Sequence, residues 1–199
     1  DETISQFSPQ ECTKLKREGL YICMIKNPNP VAKNVTPQLS DAAFIREKVP
    51  MTKEEIRHVS ICKLHLKLDS VLYDVGSGTG SVSIECARLS PDIFVFAIEQ
   101  KEEAANLTKE NAVRLGLSDQ IVVINKKAPE GFEELPTPTH VFIGGSRGAL
   151  SDILSAIQKK LIVKENTKGK TDKASKGVRV VINAVSLETI AQITKLIQT

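Results

Sequence analysis

The stretch Asp74-Val75-Gly76-Ser77-Gly78-Thr79-Gly80 follows the apolar run Ser70-Val71-Leu72-Tyr73 and leads into helix-forming residues 81–89. Three glycines within five residues let a backbone turn tightly and pass close to a ligand where a Cβ would collide. The unpaired N–H groups at the start of the following helix then face whatever rests on the glycines. Strand, glycine loop and helix in that order predict a nucleotide-type cofactor site.

The spacing narrows the choice of nucleotide. A dinucleotide fingerprint reads G-x-G-x-x-G, whereas here the third glycine comes one residue early, giving G-x-G-x-G. An acidic residue, Glu99, closes the next apolar run, residues 93–98. A carboxylate there can accept two hydrogen bonds from a ribose diol. The D-x-G-x-G-x-G form with that acidic strand end resembles the cofactor site of class I S-adenosyl-L-methionine-dependent methyltransferases. A dinucleotide site is the competing reading.

Outward from the loop, strands and helices alternate. Strands are expected at 70–75, 93–98, 121–125, 139–143 and 178–184, with helices at 80–89, 101–115, 129–134, 148–160 and 186–198. The strands are runs of Val, Ile, Leu and Phe without strict alternation, as expected when helices cover both faces of a parallel sheet. The fold class is therefore α/β, a doubly wound, mostly parallel sheet. Upstream, Thr52-Lys53-Glu54-Glu55 has the form of a capping box opening a helix that runs to about Leu66. Residues 9–18 read as helical and 20–25 as β-rich, before Asn27-Pro28-Asn29-Pro30 interrupts both kinds of structure. That N-terminal piece, 1–30, is expected to be the tail of a preceding domain with its linker, and 39–199 the cofactor-binding domain. Residues 164–177 carry five lysines and no large apolar side chain, and are expected to form a flexible loop.

Composition excludes several classes. With 199 residues, 41% of them hydrophobic, one substantial domain with an appendage fits, and no apolar run approaches the ~18 residues of a membrane span. A net charge of +3 does not by itself argue for nucleic acid, and no aromatic residues interleave the lysines of 164–177. Cys12, Cys23, Cys62 and Cys86 form no C-x-x-C pair, and His58, His65 and His140 stand apart, so no metal is assigned. Scattered thiols fit a reducing compartment, and cytoplasmic localisation is the expectation.

Several further segments share one resemblance. Leu39-Ser40-Asp41-Ala42-Ala43-Phe44-Ile45-Arg46, then Val49-Pro50-Met51-Thr52-Lys53-Glu54-Glu55-Ile56-Arg57, resemble the corresponding segments of the decarboxylating precorrin-6Y methyltransferases of cobalamin biosynthesis. So do Thr79-Gly80-Ser81-Val82-Ser83-Ile84-Glu85, Lys127-Ala128-Pro129-Glu130, Val141-Phe142-Ile143-Gly144-Gly145-Ser146 and Asn183-Ala184-Val185-Ser186-Leu187-Glu188-Thr189. The resemblance covers roughly residues 39–192. It implies methylation of carbon 15 of a corrinoid (tetrapyrrole) precursor, with loss of carbon dioxide from the ring C acetate. It also implies a carbon-5 methyltransferase domain as partner, fused in front or separate, and a homo-oligomer, typically a tetramer. The family continues past helix 186–198 into a final β-hairpin, whereas this sequence ends at Thr199, so strand 178–184 is expected at a sheet edge.

The resemblance carries the cofactor positions onto Thr52, Gly76, Ser77, Gly78, Thr79, Gly80, Glu99 and Ala128. At Lys127 the family usually has Asp, which leaves a backbone contact at Ala128 for the adenine. Carboxylates on the substrate call for fixed cations, and Arg46, Lys53, Arg57 and Arg147 are the candidates, with Gly144, Gly145 and Ser146 leaving room for the ring. Glu188, just past the end of strand 178–184, is the candidate catalytic residue, with stabilisation of a helix N-terminus as its alternative role. Two other functions share the glycine loop. An RNA or small-molecule methyltransferase predicts a different motif after strand 139–143, and an inactive S-adenosylmethionine-binding scaffold predicts binding without turnover.

Overall fold

The computed structural model describes residues 5–16, 19, 22–24, 26, 38–167 and 177–197. The chain divides into two compact units, Asp1–Val35 and Thr36–Thr199. In the first, helix α1 (Pro9–Cys12) is a single turn closed by a capping box between Ser8 and Glu11. It is shorter than the helix expected over 9–18. The β-rich run expected at 20–25 falls largely outside the described residues, and those described there, 22–24, are not in a strand.

The second unit is a five-stranded parallel sheet in the order β3-β2-β1-β4-β5. The strands are β1 (Val71–Val75), β2 (Phe94–Ile98), β3 (Ile121–Ile124), β4 (His140–Ile143) and β5 (Arg179–Ile182). The helices are α2 (Glu54–Leu64), α3 (Ser81–Ala87), α4 (Glu102–Arg114), α5 (Leu150–Thr167) and α6 (Leu187–Ile197). Strand pleat sorts the core. Leu72, Val95, Ala97 and Phe142 join one buried cluster with Leu64 of α2, Ile84 of α3 and Ala112 of α4. Tyr73, Val75, Ile98 and Ile143 join a second with Phe132, Leu150 and Ile153 of α5. Both faces are thus covered, which is why the strands read as unbroken apolar runs.

Two expectations about boundaries change. Helix α2 begins at Glu54 with Lys53 as its N-cap and no side-chain cap bond, so Thr52 closes no capping box. Helix α5 runs on to Thr167, into the segment read as a loop from 164. Residues 168–176 of that segment lie outside the described residues. Strand β5 takes the expected edge position beside β4.

Chain order reverses between β1 and β4, because β1 to β3 run outward one way and β4 to β5 the other. In an open parallel sheet that reversal opens a crevice at the carboxyl ends of the strands. The loop 76–80 leaves β1 at that point.

Candidate functional site

A cleft of about 700 Å³ occupies the crevice. Its floor is the glycine loop. Gly76 N–H donates to the Ile98 carbonyl at 2.8 Å and Gly80 N–H to the Ser77 carbonyl at 2.8 Å. Gly76, Gly78 and Gly80 all hold positive φ, at +76°, +57° and +76°. Each glycine has its own reason. A Cβ on Gly76 would lie 2.8 Å from the Gly145 carbonyl, and one on Gly80 would lie 2.6 Å from Thr108 Cγ2 of α4. A Cβ on Gly78 would lie 3.1 Å from the Pro50 carbonyl, beneath the segment that roofs the loop. So the first glycine admits the β4 loop, the middle one fits under the roof, and the last lets α3 pack on α4.

Glu99 follows β2 and is 8% exposed. Its Oε2 accepts from Gly78 N–H at 3.1 Å and its Oε1 from Lys101 N–H at 2.9 Å, which fixes the carboxylate at the cleft wall. Behind the loop, buried Asp74 accepts from Ser83 Oγ at 2.5 Å through Oδ2, while its Oδ1 has no partner. Burial pushes the Asp74 carboxyl up to about 6, its bonds from Ser83 pull it down, and the Glu99 charge adds to the rise.

Of the residues expected at a cofactor or substrate site, Thr52, Gly76, Ser77, Gly78, Glu99 and Ala128 line this cleft. Lys53, Gly144, Gly145, Ser146 and Arg147 line it as well. A Cβ on Gly145 would meet nothing within 4 Å, so open space does stand above the β4 loop. Thr79 and Gly80 are buried beneath the loop and do not line the cleft.

Arg57 is a correction. Its side chain is 0% exposed and is consumed inside the fold. Nη1 donates to Asp41 Oδ1 at 2.9 Å and to the Thr52 carbonyl at 2.8 Å, Nη2 to the Leu39 carbonyl at 2.5 Å, and Nε to Glu85 Oε1 at 3.4 Å. The guanidinium also lies 4.9 Å from the Phe44 ring centre. A group with that many internal partners ties the lead-in segment, residues 39–53, whose far end roofs the glycine loop, to α2 and α3 and has no side left for a substrate. Asp41 responds to it. Burial raises that carboxyl, and the Arg57 bond and charge, with Lys53 at 3.5 Å, more than offset the rise and hold it below its usual value. Arg46 and Glu188, expected at the substrate, stand outside this cleft. Both are exposed; Glu188 stands in the first turn of α6, where an acid stabilises the helix dipole.

The cleft also contains residues that sequence reasoning passed over. Lys48, Lys101 and Lys126 join Lys53, Lys127 and Arg147, so six cations face two carboxylates, Glu99 and Glu103. That local excess of +4 exceeds the +3 of the whole chain. Gln100, Lys101 and Lys126 each lie within a few residues of a strand's carboxyl end, the position rule that could have found them. Val49, Met51, Ile56 and Val185 supply an apolar wall, and Ile56 and Val185 are exposed by 54% and 93%.

Known proteins with this architecture were compared with the chain. The solved precorrin-6Y C5,15-methyltransferase from Geobacter metallireducens is 34% identical with a TM-score of 0.68, covering 80% of this chain and 76% of that one. The precorrin-8W decarboxylase structure from Methanobacterium thermoautotrophicum is 30% identical with a TM-score of 0.69, covering 81% and 80%. A probable cobalt-precorrin-6B C(15)-methyltransferase (decarboxylating) of Saccharolobus solfataricus is 35% identical over 78% of this chain and 73% of its own length. The similarly named Pyrobaculum calidifontis protein is 46% identical over 61% of this chain, and the match spans 63% of that relative's length. These likenesses fix the fold as that of class I methyltransferases. The profile of the precorrin methyltransferase domain matches residues 42–199, and the chain belongs to that family.

Proposed function

We infer that the cleft binds S-adenosylmethionine and a corrinoid precursor, and that the protein methylates carbon 15 of a precorrin or cobalt-precorrin with decarboxylation of the ring C acetate. The observation that carries this reading is the cleft itself. It combines a glycine floor, a prepositioned Glu99 carboxylate, an apolar wall and a rim of six cations. A planar ring with carboxylates around its edge needs such an apolar wall inside a cationic rim.

The residues present fit the cofactor. Thr52, Gly76, Ser77, Gly78 and Glu99 would hold it, with the Ala128 backbone at its adenine end. Lys127 offers no acceptor to an adenine amino group, so the backbone serves there. Bound in this way, S-adenosylmethionine supplies an electrophilic methyl carbon and leaves as a neutral thioether. The chain's own part is alignment and exclusion of water by the 48–53 segment over the loop. Electrons released on decarboxylation enter the conjugated macrocycle, so no acid or base on the chain is assigned a role. The test is mass spectrometry of a cobalt-precorrin incubated with S-adenosylmethionine. The expected product has gained one methylene and lost one carbon dioxide; an unchanged corrinoid overturns the reading.

The same reading gives residues 1–30 to a preceding carbon-5 methyltransferase domain, fused or separate, and the division of the chain at Val35 supports a boundary there. It takes the protein to be a cytoplasmic tetramer, which light scattering checks.

A further inference from the structure

The loops flanking the cleft touch across its mouth. Gln100 stands two residues past β2 and Arg147 four residues past β4, and β1 lies between those strands. Adjacent strands are about 4.8 Å apart, so the ends of β2 and β4 are roughly 10 Å apart, and a contact between the two side chains crosses the carboxyl end of β1. With its amide oxygen turned toward the guanidinium, Gln100 accepts from Arg147 Nε at 2.8 Å and from Nη1 at 3.2 Å. Arg147 holds φ at +47°, a left-handed conformation uncommon for a side chain of this size. Both residues line the cleft, and among the described residues no carboxylate pairs with Arg147. A guanidinium has five N–H donors in one plane, so Gln100 leaves a fork of donors for a ligand.

We propose that Gln100 and Arg147 form a receptor for a ligand carboxylate, Arg147 supplying the charge and Gln100 acting as the positioning residue that holds the guanidinium over the glycine loop. This rests on the reading of the cleft as a methyltransferase site. Two carboxylate sources exist there, the amino-acid end of the cofactor and the acid side chains of the tetrapyrrole.

The experiment uses Arg147→Gly, Gln100→Ala and the double variant. Glycine accepts the +47° backbone without strain, so Arg147→Gly removes the guanidinium while its unfolding midpoint stays level or rises. Each protein is titrated with S-adenosylhomocysteine by calorimetry, and KM and kcat are measured for the corrinoid. Arg147→Gly is expected to weaken one ligand by about tenfold or more, the scale of a charged hydrogen bond. Gln100→Ala is expected to weaken the same ligand several-fold, with KM moving more than kcat, and to cause no further loss once Arg147 is gone. A loss in the titration assigns the carboxylate to the cofactor, and a loss confined to KM assigns it to the tetrapyrrole. Unchanged binding and KM in both single variants overturn the receptor while the methyltransferase reading stands. So does a Gln100→Ala loss that persists in full without Arg147. Wild-type protein that binds no S-adenosylhomocysteine overturns both.

Discussion

Both oxygens of the Glu99 carboxylate are engaged by the chain itself, by the N–H groups of Gly78 and Lys101. A carboxylate set in this way loses little freedom when a ribose diol binds, and its remaining lone pairs point where a ligand can use them. Glu99→Ala is therefore expected to weaken S-adenosylhomocysteine binding by about 1.5–3 kcal/mol, the scale for hydrogen bonds to a charged group. Glu99→Gln is expected to lose nearly as much. An amide would turn one N–H group toward a backbone N–H where the carboxylate now accepts on both sides. Calorimetric titration checks both variants, and an unchanged dissociation constant removes Glu99 from the site. At this scale the sequence was legible where backbone decides the role. The glycines and the acidic strand end declare themselves by spacing, because few other residues tolerate those conformations. Arg57 was not legible. Its partners Leu39 and Glu85 lie 18 and 28 residues away, and only the packed fold turns an apparent substrate cation into a buried tie.

The lead-in segment is an element without regular structure beyond one short turn at Asp41–Ala43, and it is positioned by side chains from three helices. Arg57 of α2 grips it at Leu39, Asp41 and Thr52. Asn111 of α4 accepts from Ile45 N–H at 2.8 Å and donates to the Ile45 carbonyl at 2.8 Å and to the Thr79 carbonyl at 3.0 Å. Glu85 of α3 accepts from Leu39 N–H at 2.8 Å. The roof and the cofactor loop thus share one amide, which ties the position of one to the other. Arg57→Ala leaves Glu85 and three carbonyl or carboxylate groups short of a buried partner, and is expected to lower unfolding free energy by about 3–5 kcal/mol. Denaturant titration measures it, and a loss under about 1 kcal/mol means the network is dispensable. Asn111→Ala is expected to cost about 1–3 kcal/mol and to weaken S-adenosylhomocysteine binding through the displaced roof. Normal affinity in a destabilised Asn111→Ala protein would uncouple roof from loop. The strands of this unit were readable because burial on both faces demands continuous apolar runs. The start of α2 misled because Thr52 has the chemistry of a cap, yet its carbonyl was already taken by Arg57.

For the Thr36–Thr199 unit as a whole, the acid with the largest consequence is Asp74, at the end of the central strand. It is 1% exposed, bonded on one oxygen only, and its carboxyl is raised from 3.8 to about 6, chiefly by burial, against the pull of Ser83 and with the Glu99 charge adding to it. The sign follows from which state holds the proton more tightly. Between pH 4 and 6 the unfolded chain has released this proton while the folded chain keeps it, so rising pH favours unfolding through this group. Above about 6 both states are ionised and the cost is constant, about 3 kcal/mol for a shift near two units at 1.36 kcal/mol each. Asp41 works in the opposite direction: its carboxyl is lowered by Arg57 and Lys53, and its contribution is lost as pH falls through the folded value. The net profile therefore hides both, and a difference measurement separates them. Asp74→Asn keeps the shape and an acceptor for Ser83 but cannot ionise. Its stability relative to wild type is expected to rise by up to about 3 kcal/mol as pH goes from 4 to 7, with most of the change complete near pH 6. Urea titrations of both proteins at a series of pH values give that difference directly. A difference that stays flat across the range means Asp74 titrates normally in the folded protein, with its charge already solvated behind the glycine loop.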